Sequence, residues 1–443
     1  MPQDLCFVLM PFGKKPDAGG TLVDFDSVYN ELIAPAINQA DLDPLRADEE
    51  MTGGIIHKPM FERLMLCSYA VADLSTANAN VFYELGVRHA VRPFSTVLIF
   101  NEGGRLPFDV APLRALPYKL TPSGTPADTA STRSALTARL TEARKNVSDS
   151  PVFQLVDGIR PPDISHIKTD VFRDRVQYSE KVKEGLATAR MHGVDAVRAI
   201  EKELAPVADA ESGIVIDLFL SYRAVKAWDN MIALVQRMSA PLAATVMVQE
   251  QLALALNRAG RGEDAERILL ELIERRGASS ETCGILGRVY KDRWEEAQKK
   301  GATLLARGFL EKAIAAYLRG FETDWRDAYP GINAVTLMEL REPPDPRREQ
   351  ILPVVTYSAA RRIAAGKPDY WDHATLLELA VLAKDEQRAA NAAADALAAN
   401  REGWEAETTA RNLRLIREAR ERRQELVPWA KQIEQDLESR ASK

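Results

Sequence analysis

A period of 34 residues in the second half of the chain constrains its fold more than any other feature. Leu218, Leu252 and Leu286 are separated by this interval. The positions four residues after them hold Tyr222, Leu256 and Tyr290. A repeat of this length accommodates one pair of packed helices, and such pairs stack on their neighbours to bury a continuous core. The second half of the chain is therefore predicted to be a helical solenoid.

This interval is the period of tetratricopeptide repeats, and the middle copy fits that pattern best. Leu252, Ala265 and Leu269 stand where two packed helices need small or apolar contacts. In the third copy the second helix arrives 14 residues late. The interval Trp294–Arg307 is thus predicted to form either a loop or an extension of the helices.

One more unit fits at Leu376–Leu397, where Ala380, Lys384 and Ala389 keep the internal spacing of the middle copy. We expect about five to seven helical hairpins in total, ending in a charged helix near Glu405–Arg440 that caps the array. Residues 179–443 are therefore predicted to form an all-α, tetratricopeptide-like helical repeat domain.

Residues 1–147 show a different pattern, in which short apolar segments alternate with amphipathic ones. It predicts a flavodoxin-like α/β domain with a parallel five-stranded sheet. The predicted strands are Leu5–Met10, Leu42–Arg46, Tyr69–Asp73, Thr96–Phe100 and Leu116–Leu120. The predicted helices are Phe25–Gln39, Ile55–Leu66, Val81–Val91 and Thr132–Lys145. The proline-containing segment 148–178 is predicted to be a linker.

Two carboxylates stand where an open α/β sheet usually presents its ligand site. Asp73 closes an apolar strand, and Glu84 lies about one turn into the helix that follows. Cleavage of a ribosyl N-glycosidic bond builds positive charge on the anomeric carbon, which a carboxylate beneath the sugar attacks or stabilises. Asp73 and Glu84 are therefore the candidate catalytic residues. The alternatives are a turn-forming role for Asp73 and a solvated helix position for Glu84.

The remaining candidate residues follow the first two strands or begin the same helix. For a 2-1-3-4-5 strand order, the segment after the first strand faces the same crevice as Asp73. Phe12 is expected either to stack on a base or to fill a gap at the rim. Arg46 and Asp48 are expected either to bind phosphate or ribose or to form an ion pair at the surface. The predicted ligand-binding residues are Phe12, Gly13, Arg46, Asp48, Asn80 and Tyr83.

Charge and composition exclude several other classes of function. The formal net charge of −6 gives no electrostatic footprint for duplex DNA. The 3 cysteines lack CxxC spacing and the 5 histidines form no HExxH pair, so no disulfide framework and no metal site are predicted. The first apolar run ends at Pro11 and is too short to span a membrane, so a cytoplasmic location is expected.

Three ordered motifs in the first half are similar to a known family. They are Phe7-Val-Leu-Met-Pro-Phe-Gly13, Arg46-Ala-Asp48 and Ala72-Asp-Leu-Ser-Thr-Ala-Asn-Ala-Asn-Val-Phe-Tyr-Glu-Leu-Gly86. Together they resemble nucleoside 2-deoxyribosyltransferase-like and TIR-like domains. The resemblance implies that Glu84 is the catalytic carboxylate and that Asp73 helps to bind the sugar or the leaving group. Val81-Phe-Tyr83 departs from the small residues usual in the transferases, so substrate specificity does not carry over.

The second half resembles the TRAFs-binding, tetratricopeptide-like region of apoptosis signal-regulating kinases. The similar segments are Glu281-Thr-Cys-Gly-Ile-Leu-Gly-Arg-Val-Tyr-Lys-Asp292, Lys312-Ala-Ile-Ala-Ala-Tyr-Leu-Arg-Gly-Phe321 and Tyr329-Pro-Gly-Ile-Asn-Ala334. Neither a Gly-rich loop leading to a VAIK-like lysine nor an HRD or DFG motif follows them.

Two hypotheses follow from these patterns. In the first, the chain is an N-glycosidase acting on NAD or a related nucleotide as substrate, without a cofactor, and its helical repeats sense a partner or signal. In the second, the same crevice binds a nucleotide ligand without cleaving it, and the chain is a protein-interaction scaffold. The resemblance implies a homo-oligomer and a role in stress or antiphage signalling.

Overall fold

The computed structural model describes residues 3–17, 19–46, 57–104, 106, 110, 114–145, 147–156, 158–162, 169–204, 206–365, 368–400, 403–425 and 427–441. The chain forms two compact units that meet in sequence at Leu218 and Phe219. This division lies inside a helix, and the domain boundaries predicted at residues 147 and 178 stay a prediction.

The first unit is built around a sheet whose strands lie where the apolar segments predicted them. The strands are β1 Asp4–Leu9, β2 Lys14–Pro16, β3 Leu22–Asp24, β4 Leu42–Arg46, β5 Tyr69–Asp73, β6 Thr96–Asn101, β7 Leu116–Leu120 and β8 Pro126–Ala127. The order in the main sheet is β4-β1-β5-β6-β7-β8, and β2 pairs with β3 in a separate antiparallel hairpin.

The main sheet has six strands, so the prediction of five was wrong. The five predicted strands run parallel in the expected order. The additional strand β8 has two residues and pairs antiparallel with β7. A strand this short carries no alternating or continuous apolar pattern, which is why the sequence did not indicate it. The name flavodoxin-like stays a prediction.

Helices cover both faces of the sheet because the central strands are apolar on both sides. Cys6, Val8 and Met10 pack with the helical segment Phe25–Gln39. Leu5, Phe7 and Leu9 point to the opposite face and pack with Val81 and Leu85. The helices are α1 Phe25–Val28, a π-helical turn Tyr29–Ile33, α2 Ala34–Gln39, α3 His57–Leu66, α4 Ala79–Val91 and α5 Thr129–Ala143.

Helices alone follow the sheet. In the first unit they are α6 Pro151–Leu155, α7 Thr169–His192, α8 Val194–Glu203, a 3-10 turn Val207–Asp209 and the start of α9 Ser212–Ala224. The segment predicted to be a linker thus contains α6 and the first part of α7. In the described part of the chain, no helix has the length and apolar character that crossing a bilayer requires.

The second unit contains the predicted helical repeats. After α9 its helices are α10 Trp228–Val235, α11 Ala240–Ala243, α12 Val246–Arg258, α13 Gly262–Arg276, α14 Ser280–Lys299, α15 Thr303–Thr323, α16 Ala328–Leu340, α17 Arg348–Ala365, α18 Tyr370–Leu382, α19 Glu386–Ala399, α20 Gly403–Arg422 and α21 Pro428–Ala441. From α12 onward, consecutive helices pack as the pairs α12/α13, α14/α15, α16/α17, α18/α19 and α20/α21.

The late second helix of the third repeat results from helix extension, not from a loop. Helix α14 has 20 residues and α15 has 21, against 13 in α12 and 15 in α13. The extra residues divide almost evenly between the two helices of the hairpin. Both partners are longer by nearly two turns.

The charged segment near Glu405–Arg440 was predicted as one helix, and this was wrong. It forms two helices, α20 and α21, joined by a turn that contains Gln424. Apolar residues of both helices, including Leu413, Ile416 and Leu437, are buried in one core. A glycine is the usual sign of a helix end, and this turn has none in the sequence. The break between the two helices was therefore not predicted.

Candidate active site at the carboxyl edge of the sheet

Phe12, Arg46 and Asp73 lie at or just after the carboxyl ends of three neighbouring strands. Strand β1 lies between β4 and β5 and is parallel to both, with Val8 opposite Arg46 and Leu9 opposite Ala72. The segments that follow β1 and β5 therefore leave the sheet at the same edge, where open α/β sheets form their ligand crevice. This is the edge that the strand order predicted.

Asp73 is the centre of a buried hydrogen-bond network. Its side chain is 1% exposed. Its Oδ1 accepts from the Ser75 amide at 3.0 Å and from the Ser75 hydroxyl at 2.5 Å, and its Oδ2 accepts from the Tyr118 hydroxyl at 2.8 Å. Burial raises the pKa of Asp73 to about 6, although these hydrogen bonds oppose the shift.

Glu84 has the opposite environment, because no described residue offsets its burial with a hydrogen bond or an ion pair. Asn78 caps α4 by accepting from the amides of Asn80 and Val81, and the helix buries its Val81 and Leu85 face. The Glu84 carboxyl is half-buried, and no described residue gives it a hydrogen bond or ion pair. Desolvation alone raises the pKa of Glu84 to about 7. A carboxyl poised near neutrality is typical of a functional group.

Phe12, Gly13 and Arg46 come together as a second cluster at the same edge. The Arg46 guanidinium lies 4.1 Å from the Phe12 ring centre and 4.9 Å from that of Tyr29. Its Nη2 donates to the Pro11 carbonyl at 3.0 Å and to Asp26 Oδ1 at 2.9 Å. Its Nε is buried and makes no hydrogen bond to a described residue. Arg46 thus keeps a donor that the described residues do not use, in a guanidinium group that contacts two aromatic rings.

The other predicted ligand residues are less enclosed. Asn80 is exposed, and its amide donates to the Asn78 cap at 2.9 Å. Tyr83 is 57% exposed and meets Phe61 edge to face, with ring centres 6.4 Å apart. Asp48 lies outside the described residues. In the described part of the chain, no hydrogen bond or ring contact joins the Arg46 cluster to Asp73 or Glu84.

Several residues that shape this edge were not predicted from the sequence. Ser75 and Tyr118 occupy both oxygens of Asp73, and Asp26 orients Arg46. The buried Arg88 donates to the carbonyls of Leu64 and Cys67 at 2.8 and 2.7 Å and so ties α4 to the end of α3. Arg88 follows Glu84 by one helical turn. An arginine on an otherwise apolar helix face was the feature of the sequence that could have indicated its buried, structural role.

Comparison with known proteins places the chain in a family. A family model described as MAP3K TRAFs-binding domain matches residues 81–436. The chain belongs to the MAP3K TRAFs-binding domain family. The match begins in α4, so it includes Glu84 and the helical repeats but not Asp73 or Arg46. The second part of the predicted resemblance is therefore confirmed, whereas the TIR-like or deoxyribosyltransferase-like part stays a prediction.

Individual relatives cover parts of the chain. A segment of 219 residues is 30% identical to the mitogen-activated protein kinase kinase kinase nsy-1 of Caenorhabditis elegans; it makes up 45% of this chain and 14% of the worm protein. A tetratricopeptide protein of Thermus thermophilus is 16% identical with a TM-score of 0.35 and covers 46% of this chain and 98% of its own. A tetratricopeptide repeat protein of Parabacteroides merdae is 11% identical with a TM-score of 0.33, and the match covers 61% of this chain and 98% of that protein's chain. TM-scores this low do not establish a common overall fold.

Proposed function

We propose that the first unit cleaves the N-glycosidic bond of NAD or a related nucleotide, with Glu84 as the catalytic carboxylate. The second unit binds protein partners that regulate this activity. The observation that carries the proposal is the Glu84 carboxyl, which lies in the helix that follows β5, is half-buried and makes no hydrogen bond or ion pair with a described residue. An ionised carboxylate in such a place stabilises positive charge that develops on the sugar more strongly than it would in water.

The Arg46 cluster supports a nucleotide as the substrate class. The Arg46 Nε makes no hydrogen bond to a described residue, and its guanidinium contacts the rings of Phe12 and Tyr29. Guanidinium groups bind phosphate oxygens, and aromatic rings stack on bases. In this proposal, Arg46 and Phe12 bind the part of the nucleotide that does not react. Asp73 positions the strand ends through Ser75 and Tyr118.

Membership of a family named for binding TRAFs supports a protein partner for the helical unit. The resemblance to TIR-like domains adds that neighbouring copies complete the pocket, so the active form is a homo-oligomer. We place the chain in stress or defence signalling on the same ground.

A second function is favoured by the burial of Asp73. Both of its oxygens already accept hydrogen bonds and its side chain is 1% exposed, so it does not supply a free second acid. Glycosidic-bond cleavage usually requires two carboxyl groups in distinct roles. The alternative is therefore a non-catalytic nucleotide-binding scaffold.

One experiment separates the two functions. The chain, its Glu84→Gln variant and the exposed control Glu142→Gln are incubated with NAD, nucleosides and nucleoside monophosphates at concentrations that allow assembly. The enzyme proposal expects free base from the parent and from Glu142→Gln but not from Glu84→Gln. Binding measured by calorimetry without release of base, in all three proteins, supports the scaffold. Release that is equal in all three contradicts the role of Glu84.

A further inference from the structure

A cavity of about 560 Å³ lies in the second unit, among residues of α14, α16, α17, α18 and α20. Helices α14, α16, α18 and α20 are the first helices of four successive hairpins, and each of them packs on the next one in this series. The volume is within the range of about 300–1,000 Å³ that is typical of small-molecule sites. The cavity is remote in sequence from the carboxyl edge of the sheet and does not depend on the function proposed above.

Two ionisable side chains in this cavity are almost fully buried, and neither forms an ion pair with a described residue. Lys291 is 6% exposed and Glu378 is 9% exposed. The Lys291 ammonium donates to the Asn333 Oδ1 at a long 3.4 Å, and Glu378 Oε1 accepts from the Asn412 Nδ2 at 2.8 Å. A buried charge that hydrogen-bonds only to a neutral amide is costly for folding.

The other cations of the cavity differ from Lys291, because each has a carboxylate beside it. Arg288 pairs with Asp292 at 2.8 Å, Arg362 pairs with Asp372 at 2.8 Å, and Arg411 pairs with Glu295 at 2.8 Å. Lys291 is therefore the cation of this cavity that forms no ion pair with a described residue, although Glu378 and Glu295 attract it from a greater distance.

The Lys291 ammonium keeps hydrogen-bond donors for a ligand. Burial is the largest influence on both groups, raising the pKa of Glu378 and lowering the pKa of Lys291, while the attraction between the two opposes both shifts. Among the described residues, the ammonium makes one long hydrogen bond of 3.4 Å, to Asn333, so an anionic group in the cavity would satisfy its remaining N–H donors.

The walls of the cavity add a preference for a flat ring. Trp371 is 38% exposed and Tyr329 is 49% exposed, and both line the cavity together with Ile332 and Ala374. Partly exposed aromatic rings beside apolar side chains provide a surface for stacking. Thr375 and Thr408 supply hydroxyl groups for polar contacts.

We propose that this cavity is a binding site for a small organic anion that carries a flat ring, with the anionic group on Lys291 and the ring on Trp371 and Tyr329. The anionic group is a phosphate or a carboxylate, since both satisfy the same ammonium. The helical unit is then a receptor for a small molecule as well as a surface for protein partners.

The first test uses calorimetry on the full chain with four probes. Adenosine 5′-monophosphate and indole-3-acetate carry a ring with a phosphate or a carboxylate, and adenosine and indole carry the ring alone. The proposal expects at least one of the anions to bind with a Kd below about 1 mM and its neutral counterpart to bind at least about tenfold more weakly. Absence of binding by both anions, or equal binding of the neutral rings, overturns it.

The second test assigns the binding to this cavity and not to the sheet. Lys291→Met and Trp371→Leu are compared with Lys300→Met and Trp325→Leu, which change exposed residues of the same unit that do not line the cavity. The first pair is expected to weaken anion binding at least tenfold, and the control pair is expected to leave it unchanged. Equal binding by Lys291→Met and the parent overturns the proposal.

Thermal unfolding without ligand distinguishes a binding role from a structural one. Lys291→Met removes a buried charge that forms no ion pair with a described residue, so its Tm is expected to equal or exceed that of the parent. A lower Tm together with weaker binding would mean that Lys291 stabilises the fold and would overturn its assignment as a ligand residue.

Discussion

At the scale of single residues, the buried charges of this protein fall into paired and unpaired groups. Glu339 is 1% exposed and is held by Arg348, Arg420 and Arg423. Glu84 is half-buried without any described partner. Folding tolerates an unpaired group of this kind at a cost, and such residues are concentrated at functional sites.

Glu84→Gln is expected to stabilise the protein. The folded-state pKa of Glu84 is about 7, above its ordinary 4.5, so the folded protein holds this proton more tightly than the unfolded chain. This carboxyl therefore lowers stability progressively as pH rises from about 4.5 through about 7. The substitution should raise the free energy of unfolding by about 1–3 kcal/mol at pH 8 and by less than about 1 kcal/mol at pH 5.

Urea unfolding at the two pH values measures this difference, with Glu142→Gln as the exposed control. A Glu84→Gln variant that is less stable than the parent at pH 8 would mean that the carboxylate makes a stabilising contact. That result would contradict the unpartnered state of Glu84.

Arg420→Met is expected to destabilise the protein strongly. The Arg420 side chain is 2% exposed and donates to Glu339 Oε1 at 2.8 Å and to the carbonyls of Val381 and Leu382 at 2.7 and 2.8 Å. Its loss leaves buried acceptors unpaired and should cost about 3 kcal/mol in denaturant unfolding. Arg422→Met is the control, because Arg422 and Glu342 form an exposed pair whose loss should cost less than about 1 kcal/mol. Equal effects of the two substitutions would contradict the buried network.

At the scale of elements, one type of turn recurs five times in the second unit. The helices α9, α12, α14, α18 and α20 are each followed by a turn that contains a residue in the left-handed region. These residues are Lys226, Gly260, Gly301, Lys384 and Gln424. In each turn the next amide donates to the carbonyl five residues before it, at 2.8–3.0 Å. This is the Schellman motif, and its recurrence identifies the repeat more clearly than the leucine spacing does.

Gly260→Ala and Gln424→Gly are expected to change stability in opposite directions. A Cβ at Gly260 meets no atom within 4 Å, so the substitution acts through the backbone alone. It should lower the free energy of unfolding by about 1 kcal/mol, whereas Gln424→Gly relieves the same strain and should raise it by about 0.5–1 kcal/mol. Urea titrations measure both changes. A loss of stability in Gln424→Gly would contradict the left-handed conformation of that residue.

The sequence predicted those elements that carry a regular apolar pattern. The central strands β1, β5 and β6 overlap their predicted positions because a strand buried on both faces reads as a continuous apolar run, whereas β4 and β7 carry mixed sequences. The β2–β3 hairpin was missed because Lys14, Lys15 and Pro16 carry no such pattern. The contact of Phe12 with Arg46 follows from neighbouring strand ends, but the bond from Tyr118 to Asp73 joins residues 45 positions apart and depends on the three-dimensional packing.

At the scale of the whole molecule, the proposal joins a candidate nucleotide-cleaving unit to a helical unit of a TRAFs-binding family. If neighbouring copies complete the pocket, the rate of base release per protein molecule should increase with protein concentration until the assembly is saturated. Base release is measured over a hundredfold range of concentration beside the oligomeric state from light scattering. A constant rate per molecule across a monomer-to-oligomer transition would contradict the need for assembly.

The most direct test of the central claim is the release of nicotinamide from NAD as a function of pH, by the assembled parent and by Glu84→Gln. Because the ionised carboxylate is the active form, release by the parent should rise as pH passes through about 7 and then level off. Glu84→Gln should release no nicotinamide at any pH. Undiminished release by Glu84→Gln would contradict the assignment of Glu84 as the catalytic carboxylate.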